Sequence, residues 1–216
     1  MTLIFKPAKS VLEDYPSEWP PKQYFVNWRQ VSELQTQALN KLVKDGASET
    51  RVDTFLRKNR DLLAACLNFT RFGHHGSWVI PQQAIRPSTA VEIGLKPDYI
   101  VGGASSDGYS WYVIELKGVT DSIFAEKKGK LYFSSTANRG VFQLLEYIDY
   151  CASIQMYLRD VLGLTDFREP KGILIIGNEE ELVNNDSRQR LKSAWSRIAG
   201  DRIQIRTYDA LLRSNP

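Results

Sequence analysis

Ile173-Leu174-Ile175-Ile176 is a run of four apolar residues with no polar position among them. A strand alternates its side chains between two faces, so a short run of this kind belongs to a strand buried on both. That requires a sheet with helices packed against each side. The rest of the chain supplies the layers. A helix is predicted from about Trp28 to Lys44, where Val31, Leu34, Ala38 and Leu42 recur at helical spacing and Asp45-Gly46 ends it. A second runs from Ser48, a good N-cap, to about Phe69, although Arg51 in place of Glu leaves the capping box incomplete. Strands are expected at Trp78–Ile80, Gln83–Ile85, Tyr99–Val101 and Trp111–Leu116, with Gly102 to Gly108 as a flexible hairpin turn. Residues 118 to 137 read as a polar loop, followed by a long helix from about Asn138 to Leu162. Beyond the apolar run come a polar helix at Ser187–Ile198, a strand at Arg202–Arg206 and a closing helix at Tyr208–Arg213. The expected fold class is α/β, a mixed central sheet flanked by helices. Residues 1–47 are expected to form an extended arm and a helix, and 48–216 the main domain. Four prolines fall before residue 22, with Trp19, Tyr24 and Phe25 nearby, so the arm should pack by its aromatic rings.

Composition excludes little but bounds the setting. The chain has 216 residues, enough for one domain with a real core. Its 28 Lys and Arg against 25 Asp and Glu give +3, too slight an excess to argue for nucleic acid without a local cluster. Cys66 and Cys151 both lie in apolar helical contexts, which favours buried free thiols over a disulfide framework or a zinc site. A reducing cytoplasm is the expected compartment. No apolar run approaches a membrane span of about 18 residues, and no membrane partner is expected.

Three polar residues stand where chemistry is affordable. Glu115-Leu116-Lys117 closes the apolar stretch Trp111-Tyr112-Val113-Ile114, and Pro97-Asp98 opens Tyr99-Ile100-Val101. Glu115 and Lys117 share a strand face, while Leu116 points to the other. If the Asp98 strand pairs alongside, the three groups converge. Two carboxylates with water and a substrate phosphate make a Mg²⁺ site, and an ammonium beside them can orient a water or offset developing negative charge. Charged residues also end buried strands for solubility alone, and an acid-x-Lys triplet arises often by chance. Gln143 and Tyr147, four apart on the long helix, share a face. Tyr147 reads equally well as core. His74-His75 could suggest a metal, but neighbouring histidines do not both face one ion without a bend, and no third ligand has recognisable spacing. Lys127, Lys128 and Lys130, or Arg188, Arg190, Lys192 and Arg197, could meet a phosphate backbone; a solvated surface is the default for both sets.

Taken in order, Pro97-Asp98, Glu115-x-Lys117 and Gln143-x-x-x-Tyr147 resemble the motifs of the PD-(D/E)XK nucleases whose helix carries Q-x-x-x-Y. The chain also resembles the nuclease domain of the Shedu anti-phage defence family over about residues 48 to 213. The likeness is carried by Phe55–Leu63, Lys96–Ile100, Val113–Lys117, Gln143–Tyr147, Pro170–Gly177 and Thr207–Leu212. It implies a restriction-endonuclease-like fold and a metal-dependent nuclease that hydrolyses phosphodiester bonds in DNA. Asp98 and Glu115 would bind Mg²⁺ or Mn²⁺, Lys117 would orient the attacking water, and Gln143 would position the phosphate or the lysine. Such nucleases often place a further acid on a helix before the sheet. Glu49 is the candidate metal ligand, with Asp53 and Asp61 as alternatives and a helix-start acid as the plain structural reading. The resemblance further implies a homo-oligomer and a phage-derived trigger. Shedu proteins commonly carry more N-terminal sequence than the roughly 47 residues found here, so any sensing module would be reduced. Asn59-Arg60 replaces a frequent Asn-Pro. The rival reading is a non-catalytic nucleic-acid-binding or assembly module that retains the fold.

Overall fold

The computed structural model describes residues 15–67, 73–86 and 94–213. A six-stranded mixed sheet is built from β1 (Phe25–Val26), β2 (Gly76–Pro81), β3 (Tyr99–Ser105), β4 (Gly108–Leu116), β7 (Lys171–Ile175) and β8 (Ile203–Arg206), adjacent in that order. The first four strands are antiparallel; β4–β7 and β7–β8 are parallel. A separate ribbon pairs β5 (Phe124–Lys127) with β6 (Lys130–Phe133). The helices are α1 (Glu33–Lys44), α2 (Glu49–Lys58), α3 (Arg60–Cys66), α4 (Ser135–Ser153), α5 (Gln155–Asp160), α6 (Asp186–Ala199) and α7 (Tyr208–Arg213).

Strand alternation sorts the core into two clusters. Tyr99, Val101, Tyr112, Ile114, Leu116, Ile173 and Ile175 pack with Leu39, Val52, Leu56, Leu62 and Leu211, from α1, α2, α3 and α7. Ile100, Trp111, Val113, Leu174, Ile176, Ile203 and Ile205 pack with Val141, Leu144, Ile148 and Leu158, from α4 and α5, and with Leu191 and Trp195 of α6. The run at 173–176 is therefore buried on both faces, as its composition requires. The fold is a mixed sheet between helical layers, compatible with a restriction-endonuclease-like architecture. No helix among the described residues is long and apolar enough to cross a membrane.

The described part of the arm packs by its rings. Trp19 meets Trp78 edge to face at 5.3 Å between centroids, and Tyr15 meets Trp19 at 5.5 Å. The indole of Trp78 donates to the Tyr15 hydroxyl at 2.6 Å.

Several elements differ from their sequence expectation. Trp28–Gln30 is a single 3₁₀ turn, and the helix starts only at Glu33, where Ser32 and Gln35 form a full capping box. The expected helix from Ser48 is broken at Asn59, and its expected end at Phe69 lies outside the described residues. The Asn59 amide donates to Phe55 O at 2.8 Å and its oxygen accepts from Gln35, an alternative to continuing the helix. Gln83–Ile85 form no strand; beyond them Arg86 forms an isolated bridge to Leu95. Gly102 to Gly108 is not a flexible turn: β3 continues to Ser105 and β4 starts at Gly108. A tight turn joins them, with the Asp107 amide donating to Ser105 Oγ. The expected polar loop at 118–137 contains the β5–β6 ribbon. Lys128 (φ 53°) and Gly129 (φ 72°) form its two-residue turn, the paired positive φ of a hairpin whose twist matches its strands. The long helix starts at Ser135, capped by the Ser134 hydroxyl, and stops at Ser153.

Candidate active site at the end of the β3–β4 pair

Strand register brings the acids together. Tyr99 pairs with Ile114, so one further step sets Asp98 across from Glu115. Asp98 follows the alternation of Ile100, and Glu115 that of Val113, so both face the α4 side of the sheet. The Asp98 carboxylate accepts from the Leu116 amide at 2.8 Å and from Gln82 Nε2 at 3.4 Å. Its own carbonyl accepts from the Gln82 amide at 2.8 Å, which locks the residue between β2 and β4. Lys117 Nζ lies 2.6 Å from Glu115 Oε1, a pair in which both side chains are largely shielded from solvent. From α4, Tyr147 comes within hydrogen-bonding reach of Glu115, and Gln143 within reach of Tyr147. The Gln143 side-chain oxygen, Oε1, is buried and finds no donor among the described residues.

Glu49 joins from the first turn of α2. Its carboxyl is pushed above the usual range by burial, with Lys117 drawing it down and Asp98, Asp121 and Asp53 pushing it up. The alternatives to Glu49 are engaged elsewhere. Asp53 is gripped by Arg57 and by the Tyr99 hydroxyl at 2.7 Å; Asp61 accepts from Gln35 at 3.2 Å. His74 and His75 pack edge to face against one another in the loop before β2, where Trp28 and Arg29 bond its carbonyls.

The backbone at Lys117 is clamped from three directions. Its amide donates to Ile175 O at 2.8 Å, extending the parallel β4–β7 ladder. The hydroxyl of Tyr208, wholly buried, donates to Lys117 O at 2.7 Å. The Gly118 amide donates to Asp121 Oδ2 at 2.7 Å, and the Gly177 amide to Gly118 O at 3.1 Å. Neither Asp121 nor Tyr208 stands in the Asp98, Glu115-x-Lys117 or Gln143-x-x-x-Tyr147 pattern, although each holds the main chain at or beside Lys117. Glu181 is a third such group, accepting from the amides of Ile123 and Phe124 at 2.9 and 3.3 Å.

The charges are poorly compensated. Glu115 is pushed up to about 7, first by burial and then by the Asp98 charge, against the pull of Lys117. Asp98 is raised by burial, which outweighs the Leu116 amide that favours its ionised form. Two hard carboxylates, both reluctant to ionise in the same place, are a donor set that a divalent cation would relieve. No cluster of three or more His, Cys, Asp or Glu disposed to hold a metal occurs among the described residues. A site of two carboxylates is compatible with Mg²⁺, which keeps several waters and shares its shell with substrate phosphate. The unsatisfied Gln143 oxygen is an acceptor suited to a water on such an ion or to the lysine ammonium. The residues present therefore fit a divalent cation.

A family model described as Shedu protein SduA, C-terminal, matches residues 46–212. No curated protein matches the chain.

Proposed function

The chain belongs to the Shedu protein SduA C-terminal family, and from that premise we propose that it is a Mg²⁺- or Mn²⁺-dependent nuclease that hydrolyses phosphodiester bonds in DNA during defence against phage. One observation carries this reading: Asp98 and Glu115 face the same way, and Lys117 stands 2.6 Å from Glu115. Asp98 and Glu115 would hold the cation, with Glu49 reaching it through water. Bound there, the cation would supply Lewis acidity toward the phosphoryl oxygen and an acidified water as nucleophile.

The protein's own groups do the rest. Lys117, fixed by its clamped backbone, orients the attacking water with its ammonium hydrogens and offsets charge growing on the phosphate. Tyr147 holds the Glu115 carboxylate from the α4 side, and Gln143 offers its free oxygen to a water or to the Lys117 ammonium.

Cleavage of supercoiled and linear DNA by the full chain, with Mg²⁺, Mn²⁺ or EDTA, tests the reading. We expect cleavage only with metal and its loss in Asp98→Asn, Glu115→Gln and Lys117→Ala. Cleavage that survives these substitutions, or that proceeds in EDTA, overturns it. We include in the proposal a homo-oligomer and a phage-derived trigger. Sedimentation velocity reads the first; cleavage with and without phage extract reads the second. A wild type silent in both arms that also fails to bind Mn²⁺ favours a non-catalytic binding module instead.

A further inference from the structure

The β5–β6 ribbon sits between the two halves of the candidate site. Only the Gly118–Ile123 segment separates it from Lys117, and it returns at Ser134 straight into α4, the helix of Gln143 and Tyr147. Its base is fixed. Ile123 and Phe124 amides are held by Glu181, the Ser134 amide donates to Ile123 O at 2.8 Å, and Phe124 stacks on Phe133 at 5.7 Å. Beyond that base, residues 125–130 are all exposed. Four residues per strand carry the tip about 14 Å outward.

The two faces of the ribbon differ. Register pairs Phe124 with Phe133, Ala125 with Tyr132, Glu126 with Leu131 and Lys127 with Lys130. Alternation therefore puts Phe124, Glu126, Leu131 and Phe133 on one face and Ala125, Lys127, Lys130 and Tyr132 on the other. The first face is backed by α6: Arg188 lies over the Phe124 ring at 5.8 Å and Trp195 meets Phe133 edge to face at 5.6 Å. On the second, two ammonium groups stand opposite one another, and neither meets a carboxylate among the described residues. Like charges directly opposed across a strand pair weaken it. Tyr132 adds an aromatic ring that is 49 % exposed beside them.

We propose that this face is a clamp for the DNA backbone flanking the cleaved bond, with Lys127 and Lys130 on successive phosphates and Tyr132 against a sugar or an unstacked base. Charge complementarity selects the occupant. A polyanion relieves the lysine–lysine opposition that nothing else on this face relieves, and an exposed ring between lysines suits a nucleic acid better than an acidic protein surface. The choice of DNA rests on the nuclease reading, but the test reads binding.

Fluorescence anisotropy of a labelled DNA duplex with the full chain in EDTA, from about 50 to 200 mM NaCl, measures Kd and its salt slope. Lys127→Gln with Lys130→Gln is expected to weaken binding about tenfold and to lower the slope by about two. Lys127→Arg with Lys130→Arg keeps both charges and should bind as wild type. Lys127→Glu turns the repulsive cross-strand pair into an attractive one, so it should preserve or raise the melting temperature while weakening binding more than the removal of Lys127's charge by glutamine. A ribbon that is merely structural predicts no loss of affinity there. Wild-type Kd and slope in the double glutamine variant, no DNA binding by the wild type, or equal affinity for duplex RNA each overturn the inference. Binding in EDTA with no cleavage in Mg²⁺ or Mn²⁺, with or without phage extract, removes the nuclease reading and leaves the clamp. Cleavage with an unaltered Kd in the double glutamine variant does the reverse.

Discussion

Glu115 is the residue whose environment most constrains the protein's behaviour. Burial and Asp98 raise its carboxyl to about 7, so the folded state holds a proton there that the unfolded chain gives up near 4.5. The folded state then binds more protons across that interval, and stability must fall as pH rises through it. At about 1.4 kcal/mol per pH unit, the effect reaches roughly 3 kcal/mol for the metal-free protein. Melting in EDTA should therefore shift downward from pH 5 to pH 8, whereas Glu115→Gln should flatten that profile and exceed the wild type at pH 8. A wild-type profile that rises over this range contradicts the assigned cause. The Tyr208 hydroxyl offers a second test. Tyr208→Phe leaves the Lys117 carbonyl without its buried donor, at a cost of about 1–3 kcal/mol. Urea denaturation reads that loss, and any cleavage activity should drop with it because the backbone below the ammonium is released.

At the scale of elements, α4 is seated by two small residues. A methyl group on Gly140 would stand 2.5 Å from Leu174 Cδ1, so the helix approaches β7 as closely as it does only because that position lacks a Cβ. Gly140→Ala gains about 1 kcal/mol in helix propensity but forces overpacking against a wholly buried leucine, which costs about 1–3 kcal/mol. The balance should be a small net loss of stability in a denaturant titration, together with displacement of Gln143 one turn on. Ser134→Ala removes the N-cap of α4 and should cost about 1 kcal/mol in the same titration. These elements differ in how far local pattern betrays them. Asp98, Glu115 and Lys117 were legible because a period of two, anchored by apolar neighbours, fixes which residues share a face. Gln143 and Tyr147 were legible for the same reason at the helical period. The ribbon at 124–133 was not, since Phe124, Leu131 and Phe133 are too few and too interrupted by lysines to show alternation. Nor was the break at Asn59, which depends on a bond from Gln35 in another helix. Asp121, Glu181 and Tyr208 gave no sign of a site role, since each serves the site through a main-chain group rather than a side-chain pattern, Glu181 and Tyr208 from far along the chain.

For the molecule as a whole, cation binding and folding should be linked. If Asp98 and Glu115 hold a divalent ion only when the sheet is formed, an ion at a hundred times its Kd adds about 2.7 kcal/mol to stability. Calorimetry of the metal-titrated protein should show melting rise with Mn²⁺ and with Mg²⁺, and Asp98→Asn with Glu115→Gln should abolish the rise. A melting temperature indifferent to both ions removes the cation from the site. The clamp on Lys117 has a further bearing on how the protein is made. Tyr208 reaches across 91 positions of sequence to hold that carbonyl, and β7, which holds the amide, begins only at Lys171. A nascent chain emerging from the ribosome thus displays both acids and the lysine well before the clamp on the Lys117 backbone can form. Synthesis itself postpones the completed arrangement, and a translating cell is spared a finished site on an unfinished protein.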